Sequence, residues 1–208
     1  MSIKTIMQAG PVIPVVIIDD AADAVPLADA LVEGGVHTIE VTLRSPAALD
    51  CITAIAKNRP DMIVGAGTVL NPAHLQAVQD AGARFAVSPG AYPELLKAVD
   101  DRAMPLLPGA ATASEMMLLM AHGIHEMKFF PASVAGGPAY LKALASPLAS
   151  AMFCPTGGIT EETAKEWLSL SNVLCVGGSW VAPTSAIKAQ DFASITAMAK
   201  ACALLGSS

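Results

Sequence analysis

Eight short apolar runs, each followed by a turn and a helix-like segment, predict an α/β fold, a (β/α)8 TIM barrel of eight parallel strands. The regular alternation calls for helical crossovers between parallel strands. Apolar residues recur at helical spacing between the runs, and several helix-like segments end at glycine. The composition is 53% hydrophobic and only 14% charged, which suits strands that are buried on both faces. A doubly wound open sheet is the alternative, but the repeat number and the lack of a GxGxxG turn after the first run disfavour it.

The predicted elements follow one another without a gap that would suit a linker. The strands cover residues 12–18, 38–43, 63–69, 85–90, 105–110, 126–133, 152–158 and 173–178. The helices that follow them cover residues 23–35, 46–58, 72–82, 92–103, 113–123, 138–148, 161–171 and 190–206. Residues 2–10 predict a short helix before the first strand. Because the composition does not change along the chain, residues 1–208 are predicted to form a single barrel domain.

Charge and cysteine content narrow the class of protein. The net charge is −6 and no block of basic residues occurs, which argues against nucleic-acid binding and against a basic membrane-surface helix. The longest uncharged stretch, residues 143–160, contains two prolines and a Gly-Gly pair, so no membrane-spanning helix is expected. The four cysteines form no CxxC motif and are expected to be reduced core thiols. A cytoplasmic protein is therefore predicted.

One lysine is predicted to lie inside a strand, and it is the first candidate for catalysis. Strand alternation places Glu126, Lys128 and Phe130 on one face and the bulky Met127 and Phe129 on the other. The bulky pair should face the helices, so the lysine should point into the barrel. Removal from water favours a neutral amine, the form that attacks carbonyl carbons to give a Schiff base. The alternative is a structural ion pair, with Glu126 as its partner.

The segment EVTLR offers two further candidates on one strand face. Alternation places Glu40, Thr42 and Arg44 together. A buried carboxyl group near a neutral amine is suited to general acid/base work. The guanidinium at the strand end can bind a substrate carboxylate through two parallel hydrogen bonds. A structural Glu–Arg pair is the alternative, but with Lys128 the residues form a set of nucleophile, proton shuttle and anion-binding group.

Glycine-rich strand ends predict where a substrate approaches the backbone. In VGAGTV the glycines permit close approach and Thr68 supplies a hydroxyl, although a tight bend would also explain the glycines. The histidines lack a metal-ligand spacing and no GxSxG motif occurs, so neither a metal centre nor a serine triad is predicted.

Gly-Gly turns follow the last two predicted strands, the usual place for phosphate in this fold. The first turn contains Gly157 and Gly158, with Thr156 before them, and the second contains Gly178 and Ser179. Their backbone N–H groups can hold a phosphate group, so a phosphorylated substrate is predicted.

Several multi-residue motifs closely resemble the bacterial 2-keto-3-deoxy-6-phosphogluconate (KDPG) aldolase family, and they span nearly the whole chain. They are EVTLR (40–44), GAGTVLNP (65–72), FFPA (129–132), FCPTGGI (153–159) and LCVGGSW (174–180). The resemblance implies a class I aldolase on a (β/α)8 barrel, a homotrimer that needs neither a metal nor another cofactor. Members cleave KDPG reversibly to pyruvate and D-glyceraldehyde 3-phosphate. They often also cleave 4-hydroxy-2-oxoglutarate, which gives pyruvate and glyoxylate.

The resemblance also implies a role for each matching residue. Lys128 would form the Schiff base with the pyruvyl carbonyl, and Glu40 would be the general acid/base. Arg44 and Thr68 would bind the carboxylate of the pyruvyl group. The residues of the two Gly-Gly turns would bind phosphate.

Three further residues would shape the pocket by the same resemblance. Pro89 and Phe130 would form its walls, and Thr156 would contact the hydroxyl-bearing part of the substrate and set the stereochemical preference. The loop PASVAGG departs from the more polar stretch expected there. Residues 132–135 are therefore expected to affect packing or access around the pocket more than the type of reaction.

Two other functions share part of this pattern. A phosphosugar isomerase or epimerase barrel would need the phosphate turns but not a lysine in a strand. A non-catalytic barrel that binds a phosphorylated metabolite would share every pocket feature and show no turnover.

Overall fold

The computed structural model describes residues 1–206, which form a parallel α/β fold. Its strands are β1 (Val12–Val16), β2 (Thr38–Thr42), β3 (Ile63–Gly67), β4 (Phe85–Val87), β5 (Leu106–Leu107), β6 (Gly109–Ala110), β7 (Glu126–Phe129), β8 (Met152–Pro155) and β9 (Val176–Gly178). Its α-helices are α1 (Ile3–Met7), α2 (Ala24–Glu33), α3 (Ala48–Asn58), α4 (Pro72–Asp80), α5 (Pro93–Arg102), α6 (Ala113–Ala121), α7 (Gly137–Leu144), α8 (Glu161–Leu168), α9 (Thr184–Lys188) and α10 (Phe192–Ala203). Short 3-10 helices cover Ala21–Asp23 and Leu204–Gly206.

The strands form two parallel sheets instead of the one continuous eight-stranded ladder predicted from the sequence. One sheet has the order β5-β4-β3-β2-β1-β9 and the other has the order β6-β7-β8. The fifth predicted strand is divided between them at Pro108, which has no N–H group to donate to a ladder. The carbonyl of Pro108 still accepts a hydrogen bond from the backbone N–H of Lys128 at 2.8 Å.

The contact between β8 and β9 consists of two isolated parallel bridges. Phe153 pairs with Val173, and Thr156 pairs with Gly177. Between the two bridges the segment at β8 advances three residues, from 153 to 156, whereas the segment at β9 advances four, from 173 to 177. One extra residue on one side is the signature of a bulge and interrupts a regular ladder.

Alternation along the strands separates two apolar clusters. The larger lies between the sheets and the helices and contains Met127 and Phe129, as predicted. The ring centroid of Phe129 lies 5.7 Å from that of Tyr140 and 6.3 Å from that of Trp167. Because these residues face the helices, Lys128 between them faces the opposite side of the sheet.

The smaller cluster closes the end at which the strands begin. Ile6 and Met7 of α1 are fully buried and pack with Ile13 near the start of β1 and Phe85 at the start of β4. Ser2 caps α1 by accepting a hydrogen bond from the Thr5 N–H group. The predicted N-terminal helix is thus confirmed, and it supplies part of the core.

Three of the helices that follow strands begin at side-chain caps. Asn71 caps α4, and Thr112 and Thr160 cap α6 and α8 in reciprocal pairs with the third residue of the helix. The short helix α9 was not predicted from the sequence. The four cysteines are free and buried, as expected. Within residues 1–206, none of the helices is long and apolar enough to cross a membrane.

Candidate active site

A cavity of about 350 Å³ opens at the end where the strands finish, and it collects nearly all of the predicted site residues. Ten of the eleven residues predicted from the sequence line it, and Gly178 is the exception. Four lining residues were not predicted as site residues: Val15, Thr42, Ile159 and Gly177. The carboxyl ends of β1, β2, β3, β7, β8 and β9 thus contribute to one concave surface.

A buried ion pair lies in this cavity. The Nζ atom of Lys128 lies 3.3 Å from the Oε1 atom of Glu40, and the side chains are only 8% and 4% exposed. The same Nζ atom lies 5.3 Å from the ring centroid of Phe130, within cation–π range. The partner of the lysine is therefore Glu40 and not Glu126. Because desolvating two charges costs several kcal/mol, such a pair is weak support for a stabilising role.

Gly67 provides the space that the Glu40 carboxylate occupies. The two residues are on adjacent strands, where Thr42 pairs with Gly67. A Cβ atom built on Gly67 would overlap Oε1 of Glu40 and lie 2.8 Å from its Cδ atom. The glycine is therefore explained by the neighbouring carboxylate, whereas the sequence suggested close approach of a ligand or a bend.

Arg44 lies at the mouth of the cavity and is held by Thr42. Its Nε–H group donates a hydrogen bond to Oγ1 of Thr42 at 3.1 Å. No carboxylate in residues 1–206 forms an ion pair with Arg44, so the structural Glu–Arg pair considered above is absent there. The guanidinium charge is consequently available to an anionic ligand.

Thr68 has an unusual backbone conformation at the cavity wall. Its φ angle is 61°, in the left-handed region, which is a genuine outlier for a β-branched residue. Such strain costs about 1–3 kcal/mol and is found preferentially at functional sites. The conformation is not readable from the sequence, but Thr68 itself was predicted.

The turn after β8 is fastened to the loop after β7. Gly157 and Gly158 have φ angles of 105° and 74°, which L side chains rarely adopt. The N–H groups of Ala132 and Ser133 donate to the carbonyls of Thr156 and Gly157 at 2.8 and 3.0 Å. The loop that departs from the family pattern thus supports the Gly-Gly turn through its backbone.

The two glycines of the second Gly-Gly turn face opposite sides of their strand. Gly177 lines the cavity, and a Cβ atom there would overlap Oγ1 of Thr156. Gly178 lies on the other strand face, where a Cβ atom would overlap the ring of Trp180. Ser179 again faces the cavity. Alternation counted back from Ser179 would have identified Gly177 in the sequence.

Two thiols lie inside the sheets near this turn. Cys175 is fully buried, and Cys154 has its Sγ atom 3.9 Å from Oγ1 of Thr156. A hydrogen bond with Cys154, and then burial, raise the pKa of the Cys175 thiol well above its ordinary value. This thiol therefore stays protonated and adds no charge to the cavity near neutral pH.

Comparison with known proteins gives a consistent result. The chain matches the family described as "Aldolase: KDPG and KHG aldolase" over residues 3–198. It is 50% identical to the KHG/KDPG aldolase of Escherichia coli K12 over 199 residues, which is 96% of this chain and 93% of that protein.

Solved structures agree with the sequence comparison. The KDPG aldolase of Legionella pneumophila, with pyruvate captured as a covalent carbinolamine intermediate, has a TM-score of 0.96 and 45% identity over 98% of both chains. The KDPG aldolase of Zymomonas mobilis has a TM-score of 0.94 and 46% identity over 99% of this chain and 98% of that one. The chain described here therefore belongs to the KDPG and KHG aldolase family.

Proposed function

We propose that Lys128 and Glu40 perform the aldol chemistry of this chain, which is a class I aldolase of KDPG. The observation that carries the proposal is the buried pair itself, with Nζ and Oε1 3.3 Å apart in the cavity. An amine held against a carboxyl group has its proton acceptor in place before the substrate arrives.

The first half of the reaction builds an electron sink. Lys128 transfers its extra proton to Glu40 and attacks the C2 carbonyl of KDPG, which gives a carbinolamine. Glu40 returns the proton to the hydroxyl group as water leaves, and a protonated imine remains. Lysine is suited to this step because its primary amine can form an imine with a carbonyl carbon.

The second half breaks the carbon–carbon bond. Glu40 removes the proton of the C4 hydroxyl, directly or through water, and the C3–C4 electron pair moves into the iminium group. D-glyceraldehyde 3-phosphate departs and an enamine remains on Lys128. Protonation of the enamine carbon and hydrolysis of the imine release pyruvate and the free amine. The same steps convert 4-hydroxy-2-oxoglutarate to pyruvate and glyoxylate.

The remaining cavity residues bind the two ends of the substrate. We assign the pyruvyl carboxylate to Arg44 and Thr68, because the guanidinium has no carboxylate partner within residues 1–206. We assign the phosphate to the turns after β8 and β9, with Gly177 in place of Gly178. Pro89 and Phe130 form the walls between the two ends, and Thr156 contacts the hydroxyl-bearing carbons.

The architecture and assembly are proposed on separate grounds. We infer one closed eight-stranded barrel domain over residues 1–208, because the chain runs directly from β5 to β6 and bridges join β8 to β9.

A homotrimer is supported by exposed apolar side chains such as Met117 and Leu118 of α6, and light scattering would test it. Four free buried thiols support a reducing, cytoplasmic location.

Borohydride trapping tests the assigned nucleophile. The protein is reduced in the presence of pyruvate, and the adduct is mapped by peptide mass spectrometry. A single reduced pyruvyl adduct at Lys128 is expected, and it should be lost in Lys128→Arg but kept in the surface variant Lys142→Arg. An adduct at other lysines, or none, would overturn the assignment. In parallel, pyruvate release from KDPG should be undiminished by excess chelator.

A further inference from the structure

We propose that Thr42 is a positioning residue for Arg44, and that its hydroxyl group sets the affinity of the enzyme for the substrate carboxylate. The inference deepens the proposed function, since it rests on Arg44 binding that carboxylate. Thr42 lines the cavity and is only 1% exposed, so its single polar atom must be satisfied within the protein.

The hydrogen bonds of Thr42 have a defined direction. Its Oγ1–H group donates to the carbonyl oxygen of Val16 in β1 at 2.9 Å. A hydroxyl has one hydrogen and two lone pairs, so the oxygen is left only as an acceptor on its other side. The Nε–H group of Arg44 can only donate, and it meets this lone pair at 3.1 Å. The direction of the chain Arg44 to Thr42 to Val16 is therefore fixed.

The Val16 carbonyl group that accepts the hydrogen bond from Thr42 is held rigidly. Val15 and Val16 pair with Glu40 and Val41 in the β1–β2 ladder, so the accepting carbonyl belongs to regular sheet. Threonine is β-branched and has few χ1 rotamers, which limits the positions of Oγ1. The hydroxyl group is thus a fixed acceptor two residues before Arg44 on the same face.

The hydrogen bond to Thr42 restricts the motion of the exposed Arg44 side chain before a ligand binds. Arg44 is exposed, and a free arginine side chain has rotamer entropy to lose when it binds an anion. Fixing Nε leaves the two Nη groups, which donate no hydrogen bond within residues 1–206, for the carboxylate. A binding group that is ordered before the ligand arrives binds more tightly, because less entropy is lost on binding.

A purely structural role would give a different result. Thr42 also joins β2 to β1, and loss of that link would disturb Glu40, two residues earlier, as much as Arg44. A structural defect would therefore impair imine formation with every ketone. A positioning defect would impair only ketones that carry a carboxylate.

The test compares pyruvate with methyl pyruvate, which keeps the ketone but lacks the negative charge. The ketone concentration for half-maximal borohydride trapping at Lys128 is measured in wild type, Thr42→Val and Thr42→Ser. For Thr42→Val we expect about a 10-fold rise with pyruvate, the lower end of the range for one hydrogen bond to a charged group, and less than about 2-fold with methyl pyruvate. Thr42→Ser, which keeps the hydroxyl group, should stay within about 2-fold for both ketones.

Repeating the measurement in the Arg44→Met variant tests whether Thr42 acts through Arg44. In Arg44→Met, the added Thr42→Val substitution should change pyruvate trapping by less than about 1.5-fold, because the two residues act through one interaction. With KDPG, Thr42→Val should raise KM more than it lowers kcat. An equal effect on both ketones, or full additivity with Arg44→Met, would overturn the inference. Failure of wild type to be trapped at Lys128 would instead overturn the proposed function.

Discussion

The two ends of the strands differ in what they bury. Where the strands begin, the interior holds apolar side chains such as Ile6, Met7 and Phe85, which are fully buried. Where the strands finish, the interior holds the charged pair Glu40 and Lys128. Burial of each apolar side chain contributes about 1.5–3 kcal/mol, whereas a buried ion pair often contributes nothing net. Stability and chemistry are therefore supplied by opposite ends of the same sheets.

The largest effect is expected at the charged pair. Lys128→Arg keeps the positive charge near Glu40 but removes the primary amine, so no imine can form. We expect kcat for KDPG cleavage to fall by about 10³-fold or more, because the covalent route is lost. Pyruvate release coupled to lactate dehydrogenase measures this, with Lys142→Arg as the control. More than about a tenth of wild-type activity in Lys128→Arg would show that cleavage does not pass through an imine on Lys128.

The next effect should come from Gly67, which lies against the Glu40 carboxylate. Gly67→Ala places a methyl group where Oε1 of Glu40 now lies, so the carboxylate must move away from Lys128. A displacement of about 1 Å costs on the order of 10²-fold in kcat. Gly10→Ala is the matched control, because a Cβ atom there meets nothing within 4 Å and its φ angle is not positive. Equal activity in the two variants would contradict this reading of Gly67.

At the apolar end, a substitution should affect stability alone. Ile6→Val removes one fully buried methylene group from the smaller cluster and should lower the free energy of unfolding by about 1 kcal/mol. Because the cavity lies at the opposite end, kcat and KM should stay within about 2-fold. Urea titration measures the change, and Ile3→Val, at a half-buried position of the same helix, should have a smaller effect. A change in kcat or KM of more than about 2-fold would show that the two ends are coupled.

The smallest effect is expected at the end where the strands finish, where Glu115 takes part in the N-terminal cap of α6. The N–H groups of Ala111 and Thr112 donate to the Glu115 carboxylate and lower its pKa. Its charge therefore stabilises the fold above the ordinary glutamate pKa, and this contribution is lost as the pH falls through the depressed value. Glu115→Gln keeps the cap without the charge and should cost about 0.5 kcal/mol at pH 7 and low salt.

The pH dependence checks the sign of that effect. Urea unfolding of wild type and Glu115→Gln should differ most near neutral pH, and the two stabilities should converge as the pH falls below about 4. A difference that grows on acidification would contradict the depressed pKa. Glu94→Gln, in the first turn of α5, provides a comparison for a helix N-terminus without a capping box.

The periodicity of apolar residues predicted most of the helices and strands, and it predicted which face of a strand each residue occupies. Alternation was sufficient to assign Met127 and Phe129 to the helix side and Lys128 to the other. Prediction failed where contacts cross the sheets. Nothing near Gly67 in the sequence reveals that Glu40 fills its space, and nothing near Lys128 favours Glu40 over Glu126 as its partner. Strand order and register decide both, and these depend on the packing of the whole chain.

Two backbone details also lay beyond the sequence. The bulge between β8 and β9 depends on the register of residues 173–177 against their neighbour, and the sequence was interpreted as a regular eighth strand. Thr68 was predicted as a ligand, but its left-handed φ angle was not, because intrinsic preference opposes it. Conflicts between local preference and the final structure are concentrated at functional sites.

The pairing of Lys128 with Glu40 also determines the charge balance of the cavity. Three charged residues line it, and with Lys128 and Glu40 cancelling, Arg44 leaves one positive charge at the mouth. The site thus presents an electrostatic potential that attracts a monoanion such as pyruvate, on a protein whose net charge is −6. Because this charge is exposed, dissolved ions weaken the attraction over a Debye length of about 8 Å at physiological ionic strength. Under the proposed mechanism, capture of the keto acid is consequently salt-sensitive, whereas proton transfers between the buried Lys128 and Glu40 are shielded from salt.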